Sequence, residues 1–344
     1  MKFLGTLISL FLILSVSFGQ IPNNFESGFF LTNETTDANL FFLFYPAQTQ
    51  SNNLLIFLSG GPGCSSELAA FFENGPYFVN PNLTLYSNPY SWNTVANVLY
   101  IDSPVGTGFS YPLVMLWSTH TSQYGSLGLY AYTHSLIDYE QYIETQGLYE
   151  SCKAAIKSGD YNMTSTICNQ IMSVIQEYAG DFNPYDVTKT CPPSEPLCYD
   201  FTPVSNFLNQ ASVKQQLGVS SSSEWNLCNT TPYNEIIHDW FNSPIGYIPT
   251  LLENYKVLVY SGINGWICNF IGSEQWMGQL DWTYSSQYNN APRHIVYIDQ
   301  QISGYYQSFD NLAFFSINGA GHMAPHDQPA TTLEMVKMFL NGTI

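Results

Sequence analysis

The junction between Leu54-Leu55-Ile56-Phe57-Leu58 and Ser59-Gly60-Gly61-Pro62-Gly63-Cys64-Ser65-Ser66 limits the fold more than any other stretch. The apolar run reads as a buried strand. Glu67 to Phe72 reads as a helix, with Ser65 or Ser66 available as its N-cap. Three glycines and a proline in four positions force a tight backbone path free of side chains. Such a turn between strand and helix aims bare N–H groups outward, which suits an anion or a developing oxyanion. The plainer reading is an ordinary tight turn whose serines only cap a helix.

With 344 residues and 45% hydrophobic content, the chain can hold one large domain with an insertion, or two domains. Only 10% of residues are charged, well below the roughly 25% of average proteins. A net charge of −18 with only 8 Lys and Arg argues against nucleic-acid binding, which needs basic patches. It also argues against docking on an anionic membrane. Protonating carboxylates relieves self-repulsion, so an acidic lysosomal, vacuolar or extracellular setting is compatible. Lys2, the apolar run Phe3 to Val16 and the small residues Ser17 and Gly19 predict a secretory signal peptide over 1–19. The run is short for a membrane anchor. Sequons at Asn33, Asn82, Asn162, Asn229 and Asn341 fit the same route as glycosylation sites. Seven cysteines in an exported chain predict three disulfides and one free thiol.

The turn continues into Glu73-Asn74-Gly75-Pro76. Here the chain resembles the serine carboxypeptidases, whose stretch reads Asn-Gly-Gly-Pro-Gly-Cys-Ser-Ser and then Glu-x-Gly-Pro. The block from Trp92 to Tyr111, with a strand over Val98 to Ile101, is similar to the family's second signature. Gly319-Ala320-Gly321-His322-Met323-Ala324-Pro325-His326-Asp327-Gln328-Pro329 resembles its histidine loop. The resemblance implies an α/β-hydrolase fold, with a mixed central sheet and a helical cap insertion. The expected organisation is a signal peptide at 1–19, the first part of the hydrolase domain at 20–138, the cap at 139–232 and the second part at 233–344. Within the cap, Ile167, Ile171, Val174, Ile175 and Tyr178 recur at helical spacing, and Gly180 is the stop.

One part of the pattern is missing. In the family, Phe-Ser-Tyr leads to a helix, a strand and a Gly-Glu-Ser-Tyr-Ala-Gly elbow that carries the catalytic serine. Here Tyr111 is followed by Pro112 to Ser122, and then by Gln123 to Tyr132, which resembles the family's chain beyond the elbow. The resemblance implies that the nucleophile strand and elbow are absent. No Gly-x-Ser-x-Gly occurs anywhere, and Ser65 and Ser110 belong to other motifs. The family also reads Gly-Asp-x-Asp-Phe-Ile-Cys-Asn around its triad aspartate. Aligned on Ile267-Cys268-Asn269, that position is Gly265.

The resemblance makes His322 the inherited general base of a Ser-Asp-His triad and Gly61 an oxyanion donor. It assigns Ser59 (the family has Asn), Gly60 and Glu73 to the substrate's C-terminal carboxylate. It implies a Cys64–Cys228 disulfide. Cys152, Cys168, Cys191 and Cys198 cluster and are expected to pair among themselves, leaving Cys268 free. His326 looks incidental, and a Cys268–His322 thiol nucleophile is the weaker alternative. The expected partners are peptide or protein C-termini, with no cofactor, metal, nucleic acid or membrane. Two functions stay open: a serine carboxypeptidase in incomplete form, or a non-catalytic relative that binds peptides or regulates an active one. The change at Gly265 supports the second, because skipping one internal block does not alter a residue so far downstream.

Overall fold

A computed structural model describes residues 20–61, 63–111, 121–235 and 244–344. The expected signal peptide and the join at 112–120 lie outside them. Among the described residues, ten strands form two four-stranded sheets and a small hairpin. In the first sheet, β1 (Glu26–Asn33) pairs antiparallel with β2 (Ala38–Tyr45), Glu26 opposite Phe44. β3 (Leu54–Leu58) lies at the other side of the sheet. β4 (Tyr77–Val79) and β5 (Leu85–Ser87) make the hairpin. β6 (Asn97–Ile101) lies between β2 and β3, antiparallel to one and parallel to the other. A parallel pair needs a crossover, and helix α1 (Glu67–Phe72) lies within it.

The second sheet contains β7 (Val257–Gly262), β8 (Arg293–Ile298), β9 (Gln301–Phe309) and β10 (Leu312–Ile317), in the order β7-β10-β9-β8. β7 and β10 are parallel and the other pairs antiparallel. The expected mixed sheet is therefore present as two mixed halves. Their inner edges are β3 and β7, with Trp92 between them. Its ring lies 6.2 Å from Phe57 of β3 and 6.4 Å from Tyr260 of β7. β10 is buried along its whole length.

Two sequence expectations are corrected. β3 is not a buried strand: Leu54 is 52% exposed, and Ile56 and Leu58 are each 58% exposed. Among the described residues it has a partner on one edge only, and these three side chains share an exposed face. Ser66 occupies the N-cap position of α1 but makes no capping bond. Its Oγ donates to the Ile101 carbonyl at 2.6 Å and accepts from Ser59 N at 3.0 Å, joining three segments beneath the turn.

Helices fill the region between the sheets in sequence. α2 (Thr121–Thr133), α3 (Tyr139–Ser158) and α4 (Tyr161–Ala179) share a core with Trp266. Asp138 and Gln141 form a capping box at the start of α3, and Asp160 caps α4. Gly159 and Gly180 end the two helices at positive φ, where a side chain is strained. Cys152–Cys168 staples α3 to α4, and Cys191–Cys198 closes a short loop beyond them. Cys268 is the free cysteine.

Candidate active site

The Gly-rich turn leaves the end of β3 with Gly61 at φ +121° and Gly63 at φ +92°. Both angles favour glycine, and space forbids more. A Cβ on Gly61 would sit 2.9 Å from Cys64 Sγ, and one on Gly63 would sit 2.6 Å from the Asn229 carbonyl oxygen. The turn is tied to a distant segment by the Cys64–Cys228 disulfide. Ser65 N also donates to the Leu227 carbonyl at 2.9 Å, and Asn229 N to that of Gly63 at 2.8 Å. Gly60 and Gly61 are exposed, and nothing lies within 4 Å of a Cβ built on Gly60.

Two carboxyls that the sequence did not single out lie beneath this turn. Glu67 and Asp102 are both fully buried. Asp102 accepts from Ser66 N and Phe109 N, both at 2.8 Å, and Glu67 accepts from Ser65 Oγ at 2.7 Å. Burial and the neighbouring Asp102 push the Glu67 carboxyl well above its usual range. Burial raises the Asp102 carboxyl as well, while its bonds from Phe109 N and Ser66 N act the other way.

Glu73 is buried at the C-terminal end of α1. Burial, and then the charge of Asp327, push its pKa up to about 8. An acid whose pKa is raised on folding binds more protons folded than unfolded. Its stabilising effect is complete below the unfolded value of about 4.5 and is lost as pH rises towards 8. The melting temperature should therefore fall between pH 5 and pH 8, and Glu73→Gln should flatten that fall. A thermal melt series that rises with pH over this window would contradict the assignment.

The histidine loop follows β10. His322 N donates to the Tyr185 carbonyl at 2.7 Å, and the Tyr185 ring meets the imidazole edge-on at 5.5 Å. His322 Nδ1 lies 3.3 Å from the Ile267 carbonyl oxygen, so a neutral acceptor faces the nitrogen that a triad carboxylate would take. The side chain is solvent-exposed but crowded by protein. Desolvation lowers its pKa, while the Ile267 carbonyl and Asp327 act the other way. Gly265 lies directly against this loop, where a Cβ would be 3.0 Å from His322 N. Cys268, half-buried, has its thiol pushed up to about 11 by burial, which disfavours a thiolate nucleophile.

The expectation that His326 is incidental is corrected. Its ring stacks on Phe72 at 4.0 Å, and Nδ1 lies 2.9 Å from the Phe72 carbonyl oxygen. It fastens the histidine loop to the end of α1 next to Glu73. Glu73 and the His322 loop are thereby brought together, and Gly265 and His322 likewise. Among the described residues, no hydrogen bond joins the Ser59–Gly61 turn to Glu73 or His322. No cluster of potential metal ligands occurs among them, and no helix is long and apolar enough to cross a membrane. Lys189, Asp186 and Asp327 were also missed by sequence reasoning. Their meeting spans 138 positions, which no local pattern records.

Comparison with known proteins agrees with this architecture. The fold resembles the crystal structure of Kex1(delta)p, a prohormone-processing carboxypeptidase from Saccharomyces cerevisiae. The TM-score is 0.77 at 21% identity, over 92% of this chain and 91% of that one. Serine carboxypeptidase S10 family member 1 of Dictyostelium discoideum is 48% identical over 416 aligned positions, covering 99% of this chain and 100% of the relative. Serine carboxypeptidase-like 48 of Arabidopsis thaliana is 30% identical, covering 93% and 78%. The serine carboxypeptidase family model matches residues 17–115 and 116–342, and the chain belongs to the serine carboxypeptidase family.

Proposed function

We propose that the complete form of this protein removes C-terminal residues from peptides, and that the 344-residue chain is a form from which an internal nucleophile block has been skipped. The observation that carries the reading is the pair of unpaired inner edges, β3 and β7, on either side of Trp92. A strand between them would unite the halves into one sheet, and a helix flanking that strand would have the exposed face of Leu54, Ile56 and Leu58 to pack on. The comparisons support it in two ways. The family match is in two pieces that meet at Met115 and Leu116. The alignment to the Dictyostelium relative has 416 positions against 344 residues here, so at least 72 positions lack a counterpart.

In this reading His322 is the general base, Gly61 an oxyanion donor, and Ser59, Gly60 and Glu73 the carboxylate-binding groups. A protonated Glu73 can donate to a peptide's terminal carboxylate. The 139–232 segment caps the site, and the protein follows the secretory route. The 344-residue chain should bind peptides with a free C-terminus and release no amino acid from them at mildly acidic pH. The native protein, sequenced across Val105 to Tyr130, should contain the block and hydrolyse them. Native protein that lacks both the block and the activity overturns the reading. It would leave the non-catalytic binding protein that Gly265 favours.

The sequons differ in access. Asn33, Asn82 and Asn341 are exposed, and Asn82 Oδ1 accepts from Thr84 N and Oγ1. Asn229 is half-buried, and its Nδ2 donates to the Gly106 carbonyl at 2.8 Å. A glycan at Asn229 replaces one of the two Nδ2 hydrogens at a half-buried site, close against the Gly106 carbonyl. Glycopeptide mapping should find Asn33 and Asn82 occupied in a larger share of molecules than Asn229.

A further inference from the structure

We propose that Lys189 is a positioning residue for His322, clamping the segment Pro184–Lys189 onto the histidine loop through Asp186 and Asp327. The inference rests on reading His322 as the general base. The segment lies along both loops of the site. Trp266 N and Ile267 N donate to the Pro184 carbonyl at 3.1 and 3.0 Å, Val187 N donates to that of Asn264 at 2.9 Å, and His322 N donates to that of Tyr185. The fit at Gly321 is close: a Cβ there would lie 2.3 Å from the Tyr185 carbonyl oxygen and 2.7 Å from Asp186 Cβ.

Backbone bonds alone leave two carboxylates to be neutralised. The side chains of Asp186 and Asp327 are 0% and 1% exposed. Asp186 Oδ1 accepts from Thr188 N and Oγ1, while Asp327 Oδ2 accepts from Gly321 N at 2.8 Å and from Tyr199 Oη at 3.3 Å. Lys189 Nζ pairs with Asp327 Oδ1 and lies 3.0 Å from Asp186 Oδ2. Without this cation two buried anions repel each other. The strain then falls on Gly321, whose amide holds one of them and whose carbonyl carbon is bonded to His322.

The test uses the 344-residue chain and needs no catalysis. The His322 imidazole is titrated by NMR, and exchange of the His322 amide is followed, in Lys189→Met, Lys189→Gln and Lys189→Arg. Besides Asp186, Asp327 and Lys189, the titratable groups packed around this loop are Tyr185, Tyr199, His326 and Glu73. Lys189→Met and Lys189→Gln should raise the His322 pKa by about one unit, because Asp327 is no longer neutralised. They should also speed exchange of the His322 amide, and Lys189→Arg should restore both. Neutral variants that lower the urea midpoint while leaving both His322 readouts unchanged would overturn the proposal. So would an arginine variant that behaves like the methionine one. Loss of hydrolysis in the complete protein bears on the catalytic reading instead, so the two failures are distinguishable.

Discussion

Grafting the Dictyostelium relative's extra block between Met115 and Leu116 should give a chain that removes C-terminal residues slowly, and adding Gly265→Asp to the graft should raise kcat by roughly 10⁴-fold. The geometry at Gly265 carries this expectation. A Cβ there would lie 3.0 Å from His322 N and 3.3 Å from His322 Cα. Gly265 is not among the residues at positive φ, so an aspartate needs a shift of only a few tenths of an ångström at the loop. Its carboxylate would compete for Nδ1 with the Ile267 carbonyl, which fixes a tautomer but carries no charge to stabilise an imidazolium. Single-turnover assays of the two grafted chains measure the ratio. Equal rates would mean that another group already does the work of the aspartate.

The second large effect concerns the Gly-rich turn. Cys64 and Cys228 are 164 positions apart, and loop-closure entropy over that span corresponds to about 5 kcal/mol. The same relation gives about 2 kcal/mol for Cys191–Cys198, which are 7 positions apart. Replacing Cys64 and Cys228 together by serine should therefore lower the urea midpoint far more than replacing Cys191 and Cys198. It should also loosen the Gly60–Gly63 backbone, which would then be held to the distant segment by the single hydrogen bonds Ser65–Leu227, Gly63–Asn229 and Trp225–Ser65. A smaller loss for the long-range pair than for the short one would show that native contacts, not chain closure, hold the turn.

Local chemistry made much of this legible. The turn, the Trp92 to Tyr111 block and the histidine loop each announce themselves within one continuous stretch of sequence. The apolar spacing of Ile167, Ile171 and Ile175 likewise marks α4, in which Ile171 and Ile175 are fully buried and Ile167 partly so. What stayed hidden depends on neighbours. Leu54 to Leu58 carries the composition of a buried strand, yet burial is decided by what lies beside it, and one side of β3 is open. Glu67 and Asp102 are 35 positions apart, and their burial together follows only from the crossover between β3 and β6. His326 is one more polar residue in a loop until Phe72 is seen beneath it.

The divided sheet has a consequence for how the chain comes apart. Within a sheet, each strand's ladder fixes its neighbour, so the whole melts as one unit. Among the described residues no ladder crosses from β3 to β7, and the halves meet through side chains: Trp92 with Phe57 and Tyr260, and one core that holds Phe41, Val98 and Tyr100 with Ala313, Phe315 and Ile317. Side-chain contacts of this kind transmit less cooperativity than backbone pairing. Amide exchange should therefore find the edge strands β3 and β7 opening at a lower free energy than the core that the two sheets share. A strand between them would do more than bring a nucleophile: it would add a backbone ladder to halves that side chains alone now join.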